Sequence, residues 1–99
     1  MSADTPLPQD LADAGWSLAS DGKAIAKTFR FRGFRDAIAF MARAAFEADH
    51  MNHHPEWSNA YNRVEVRLTT HDSDSLSDND IELAKRMEKV SGRPLQKEG

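Results

Sequence analysis

The 99-residue chain contains no cysteine. Disulfides, thiolate metal sites and cysteine nucleophiles are excluded together, and the absence fits a reducing compartment such as the cytoplasm. Glycine is scarce. The five glycines are Gly15, Gly22, Gly33, Gly92 and Gly99, and their spacing excludes the dinucleotide fingerprint, the P-loop and the G-x-S-x-G nucleophile elbow. Long apolar runs are missing too: none approaches the ~18 residues that span a bilayer. The first ten residues have neither the basic nor the apolar region of a signal peptide. The expectation is a chain with no membrane partner. An excess of positive charge is also lacking. Lys and Arg total 13 against 16 Asp and Glu, a net charge of −3, which speaks against nucleic-acid binding through bulk charge. What is present is 39% apolar and 29% charged residues, the balance of a soluble globular domain. The length allows one core, and domains of this size often gain stability by forming homodimers or homotetramers. The catalytic inventory reduces to imidazole, carboxylate and hydroxyl groups.

Local patterns set the elements. Residues 1–8 read as a flexible lead, 9–90 as a single domain and 91–99 as a frayed tail. Gln9 to Ala14 suits a short helical turn ended by Gly15. Trp16-Ser17-Leu18-Ala19 alternates as an edge strand does. Asp21-Gly22 signals a two-residue hairpin of the type I′ kind, which needs φ > 0. In the strand from Lys23 to Phe31, Ile25, Phe29 and Phe31 share one parity. After Gly33, the residues Phe34, Ala37, Ile38, Met41, Ala45 and Ala48 follow helical spacing and are expected to face the core. Phe40 and Phe46 lie off that stripe, as the margin of a wide core face or as a contact with a second subunit. Pro55 excludes an α conformation at His54, so the helix ends before it.

Trp57 to Tyr61 reads as a short strand and Asn62-Arg63 as a turn. Val64 to Thr69 alternates strictly, which implies an antiparallel sheet covered on one side. Ser77 and Asp80 make a capping-box-like start to a helix from Asp78 to Val90. Its core stripe is Leu83, Met87 and Val90, and Ser91-Gly92-Arg93-Pro94 is its stop. The order (α)ββαββα is an α+β two-layer sandwich with four strands.

All four histidines, His50, His53, His54 and His71, fall between positions 50 and 71. Histidine is the side chain whose ordinary pKa lets it give and take protons near neutrality. Three readings of the cluster stand. The residues can be polar helix-end and strand-end groups, favoured by the helix dipole. Two or three imidazoles can bind zinc with Asp49 or Asp72, although adjacent His53 and His54 face one ion poorly and no H-E-x-x-H is present. Or two imidazoles, each held by a carboxylate such as Asp49 or Asp80, can perform general acid–base catalysis without a metal.

The run Asp49-His50-Met51-Asn52-His53-His54-Pro55-Glu56-Trp57, then Tyr61-Asn62, Val64 to Leu68 and Thr69-Thr70-His71, closely resembles the pterin-4a-carbinolamine dehydratase family. The family order is a carboxylate, His-His-Pro, an aromatic, a further His and an Asp. Here these are Asp49, His53-His54-Pro55, Tyr61, His71 and Asp80. The resemblance spans about residues 9 to 90. It implies a four-stranded antiparallel sheet with helices on one face. It also implies dehydration of 4a-hydroxytetrahydropterin to quinonoid dihydropterin, the step that follows an aromatic amino-acid hydroxylase. The pterin is then the substrate, and neither a cofactor nor a metal is implied. Carried over from the family, His53 and His71 are the proton-transfer pair. His54 binds the pterin or transfers a proton, Asp80 holds the His71 ring, and Asp49 acts likewise near His53. Pro55, Trp57 and Tyr61 border the substrate, with Trp57 equally readable as core.

A rival reading comes from the same resemblance, because some family members serve as dimerisation partners of a homeodomain transcription factor through a helical surface. That module requires an exposed apolar helix face, for which Phe40 is the candidate. The basic stretch Lys23, Lys27, Arg30, Arg32, Arg35 and Arg43 is spread over a strand and a helix, and reads as a solvated face with no nucleic-acid partner.

Overall fold

Ile25, Lys27 and Phe29 on one strand stand opposite Leu68, Val66 and Val64 on its antiparallel neighbour. All six are buried, while the intervening Thr28 and Glu65 are exposed. This alternation makes one sheet face apolar, and the helices cover it. The computed structural model describes residues 5–92. The first four residues of the expected lead, residues 93–99 of the expected tail and the Arg93-Pro94 stop lie outside the described residues. The elements are α1 (Gln9–Asp13), β1 (Ser17–Leu18), β2 (Ile25–Arg30), α2 (Phe34–Met51), β3 (Glu56–Ala60), β4 (Arg63–Leu68) and α3 (Asp78–Val90). They form an antiparallel sheet in the order β1-β2-β4-β3. This is the α+β order expected from the pattern.

The core forms where α2 and α3 meet the sheet. The Phe29 and Phe40 ring centroids are 4.5 Å apart, and Trp16 meets Phe29 edge-on at 5.8 Å. Phe40 is 0% exposed, so it belongs to the core and is not the subunit contact the sequence left open. The buried stripe of α2 is Ala37, Phe40, Ala44 and Ala48. Phe34 and Ile38, expected inside, are exposed, as is Ala45. Both stripes have helical spacing and share Ala37 and Ala48, so periodicity alone does not choose between them. The large Phe40 ring and its partners Phe29 and Phe31 decide the rotation. In α3, Leu83, Ala84 and Met87 are buried, and Val90 is half-buried.

Two turns differ from expectation. β1 and β2 are joined by a longer loop, because the Ala19 N–H bonds to the Ala24 carbonyl. Gly22 has φ 73° while Asp21 stays out of the left-handed region, and the Asp21 carboxylate accepts the Lys23 N–H at 2.9 Å. The Asx bond replaces the type I′ turn. The β3–β4 hairpin turns at Tyr61 and Asn62, one residue earlier than expected, and Tyr61 takes φ 51°. Asn62 secures the turn by donating to the Phe31 carbonyl.

Lys27 carries a charged group into the core. Lys27 Nζ lies 2.6 Å from Glu88 Oε2 and 4.3 Å from the Phe29 ring centroid. The same carboxylate oxygen accepts the Trp16 indole N–H at 2.8 Å. Gly15 (φ 109°) ends the α1 turn beside the Lys27 stem. The carboxylate thereby ties α3 to β2 and to the segment after α1. On the outer side of the helices, Arg86 of α3 donates to Glu82 and to Glu47 of α2, and the Glu82 hydrogen bond raises its already high pKa.

Candidate active site

The end of α2 aims the first imidazole. Asn52 adopts the left-handed conformation (φ 53°), which asparagine tolerates better than most residues. The His53 N–H then bonds back to the Ala48 carbonyl at 2.9 Å, the reversal of a Schellman-type stop. Pro55 holds His54 extended where the chain enters β3. Successive side chains of an extended chain point to opposite sides. His53 therefore turns inward, with its side chain 11% exposed, and His54 turns outward at 61%.

His53 Nε2 lies 2.5 Å from Oδ1 of Asp80, whose side chain is 0% exposed. Asp80 is the third residue of α3 and caps its start, accepting the Ser77 N–H at Oδ2 at 2.9 Å. Oδ2 also accepts the Thr70 hydroxyl at 2.9 Å. Thr70 Oγ1 makes a short hydrogen bond to Ser77 Oγ. A buried carboxylate is tolerated only when its lone pairs are met, and here three donors meet them. Asp80 is thus both helix cap and imidazole orienter.

The ring that Asp80 orients is His53. The expected pairing of Asp80 with His71 is not formed, because β4 ends before Thr70. It is the Thr70 side chain that turns toward Asp80, while His71 continues into the exposed loop. His71 Nε2 is instead 3.3 Å from Glu56 Oε2 at the start of β3, with the ring 69% exposed. Glu56 is anchored from its other oxygen by Arg67 at 3.0 Å, its cross-strand partner. Asp49 likewise faces His54 rather than His53, at 3.4 Å on the surface. Glu56 and Thr70 are the residues that sequence reasoning missed. Hydroxyl and carboxylate partners set by strand register leave no local signal.

The remaining expected substrate residues separate. Pro55 is half-buried beside the two imidazoles in the chain. Trp57 is half-buried, packed against the core and opposite Val66. Tyr61 stands at the other end of β3, about 17 Å along the strand, with its hydroxyl near Gly33 at the start of α2. It does not join the histidines. A broad concavity on the helix-free face, lined by Ala26, Thr28, Ser58, Glu65 and Arg67, reaches the site through Glu56. Among the described residues, no three His, Asp or Glu side chains converge in the manner of a metal site.

The arrangement therefore supplies three imidazoles, each beside a carboxylate, at one pole of the sheet. One pair is buried and two are exposed. Residues 3–90 match the model of the family described as pterin 4 alpha carbinolamine dehydratase. A protein of Rhizobium rhizogenes named "Putative pterin-4-alpha-carbinolamine dehydratase" is 53% identical over 79 residues, covering 80% of this chain and 78% of its own. One of the same name from Opitutus terrae is 55% identical, covering 78% of each chain. A crystal structure from Brucella melitensis, described as a transcriptional coactivator/pterin dehydratase, superposes with a TM-score of 0.78 at 41% identity, covering 85% of this chain and 92% of that one. A pterin dehydratase-like RuBisCO assembly factor shares the fold with a TM-score of 0.69 at 19% identity, covering 79% of this chain and 90% of its own.

Proposed function

The chain belongs to the pterin 4 alpha carbinolamine dehydratase family, and from that premise we propose that it removes water from a 4a-hydroxytetrahydropterin. The observation that carries this reading is the imidazole of His53 held at 2.5 Å by the fully buried Asp80 carboxylate. Hydroxide is a poor leaving group. An acid must protonate the 4a-oxygen as the C4a–O bond breaks, and a base must take the N5 proton as the C4a=N5 bond forms. The products are quinonoid dihydropterin and water. Nε2 of His53 is engaged with Asp80, so Nδ1 is the nitrogen left for proton transfer. Asp80 stabilises the imidazolium when the ring is charged. His71, braced by Glu56, is the second proton-transfer group, and the exposed His54 binds the pterin. The pterin is the substrate, so the step needs no cofactor and no metal. Its place is in the cytoplasm, after an aromatic amino-acid hydroxylase.

The test is direct. Purified protein is mixed with 4a-hydroxytetrahydropterin, and formation of the quinonoid product is followed against the spontaneous rate. The expected result is acceleration that survives prolonged chelation. Loss of activity on removing a stoichiometric metal would reject acid–base catalysis by the imidazoles alone.

A second reading, as a binding module, is favoured by one observation. α2 exposes Phe46, at 75%, together with Phe34 and Ile38. A second copy of the chain is the occupant we assign to that face, in a homodimer or homotetramer. A protein that forms such assemblies yet leaves the pterin untouched would favour this reading over catalysis.

A further inference from the structure

Asp80 is a short side chain with one loose torsion. Its χ1 is limited by its place in the first turn of α3, but rotation about χ2 is broad for a carboxylate. Such rotation would swing Oδ1 away from His53. Two donors converge on the other oxygen. The Ser77 N–H and the Thr70 hydroxyl both reach Oδ2 at 2.9 Å, so turning the carboxylate breaks both bonds at once. The hydroxyl contribution has a fixed sense. Thr70 has a single hydroxyl proton, and it goes to Asp80. The short contact with Ser77 Oγ must then carry the Ser77 proton, which leaves Thr70 polarised toward the carboxylate.

Thr70 is itself held in place. Its N–H donates to the Ser75 carbonyl at 2.9 Å, and its own carbonyl accepts the Ser75 N–H at 3.3 Å. The buried Thr69 beside it donates its hydroxyl to the Lys23 carbonyl at 2.6 Å. His71 is the next residue in the chain. Resting on the dehydratase reading, we infer that the Thr70 hydroxyl is a positioning group for proton transfer. It locks the Asp80 carboxylate with Oδ1 directed at His53, and it links that imidazole to the segment carrying His71.

The test uses Thr70→Val, which keeps the side-chain shape and removes the hydroxyl, and Thr70→Ser, which keeps the hydroxyl. Two readouts are compared on the full chain. One is the ring-nitrogen chemical shifts of His53 in the substrate-free protein, which report its tautomer. The other is pterin turnover. Thr70→Val is expected to move the His53 shifts toward tautomer averaging and to lower kcat about tenfold, with KM within about twofold. Thr70→Ser is expected to restore both. A merely structural residue would move the melting temperature and leave the tautomer alone. If Thr70→Val does not fold, Thr70→Cys, a poor donor of similar size, carries the same expectation and the same refutation. Unmoved His53 shifts and full kcat in the variant without the hydroxyl overturn the proposal. A wild-type protein with no turnover, whose His53 shifts still respond to Thr70→Val, rejects the dehydratase reading and supports the positioning.

Discussion

Asp80 accepts hydrogen bonds from a backbone N–H, a hydroxyl and an imidazole while wholly removed from solvent. Removing it takes the acceptor from all three donors. Leaving a buried donor unmet costs about 1–3 kcal/mol, and loss of a helix cap adds about 1 kcal/mol. Because the Thr70 hydroxyl can turn to the Ser77 hydroxyl instead, while the Ser77 N–H has no such partner, the costs do not simply add. Asp80→Ala should therefore lower unfolding stability by about 3 kcal/mol, read from urea denaturation. A loss under about 1 kcal/mol would mean that water replaces the carboxylate. At this scale much was legible. The carboxylate, the His-His-Pro run and His71 stand out in the sequence, as does the Ser77/Asp80 cap. What was not legible is which imidazole meets which carboxylate. The family resemblance pairs Asp80 with His71 and Asp49 with His53, whereas the structure pairs Asp80 with His53 and Asp49 with His54. Both pairings depend on where the left-handed turn at Asn52 and the end of β4 send the chain, and no residue spacing encodes that.

Elements were legible where a pattern had one solution. The alternation of β4 and the cap of α3 place those segments within a residue. The rotation of α2 was not fixed, because two stripes of equal period run through an alanine-rich helix, and only packing with Phe29 selects the one that contains Phe40. Lys27 is a related case. It sits on the buried face of β2, where an apolar residue would be expected, and the partner that permits this lies 61 residues away in α3. Lys27→Met keeps the stem packed but leaves Glu88 with the Trp16 indole alone. The Glu88 side chain is 22% exposed, so the cost is below that of a fully buried pair, about 1–3 kcal/mol. Combining Lys27→Met with Glu88→Gln, which still accepts from Trp16, should cost less than the two single changes added. Strict additivity in the denaturation midpoints would show that the ion pair contributes nothing.

Over the whole molecule, the imidazoles and their carboxylates gather at one pole, where α2 ends and α3 begins. The other end of the sheet carries the Tyr61 turn. The exposed apolar residues Phe34, Ile38 and Phe46 lie along α2, outside the core. On a chain of 11.1 kDa such residues suit association, since small domains bury a modest share of their surface alone. Light scattering at micromolar concentration should report a dimer or tetramer, and Ile38→Glu with Phe46→Glu should give the monomer. A wild-type monomer would contradict this use of α2.

Central to the account is proton transfer by His53 under the hold of Asp80. The most direct measurement is kcat for dehydration of 4a-hydroxytetrahydropterin by wild-type protein and by His53→Ala, with folding of the variant checked by circular dichroism. A positioned general acid or base is worth about 10²–10⁴-fold, and a loss of that order is the predicted result. A folded His53→Ala variant that retains full kcat would contradict the account.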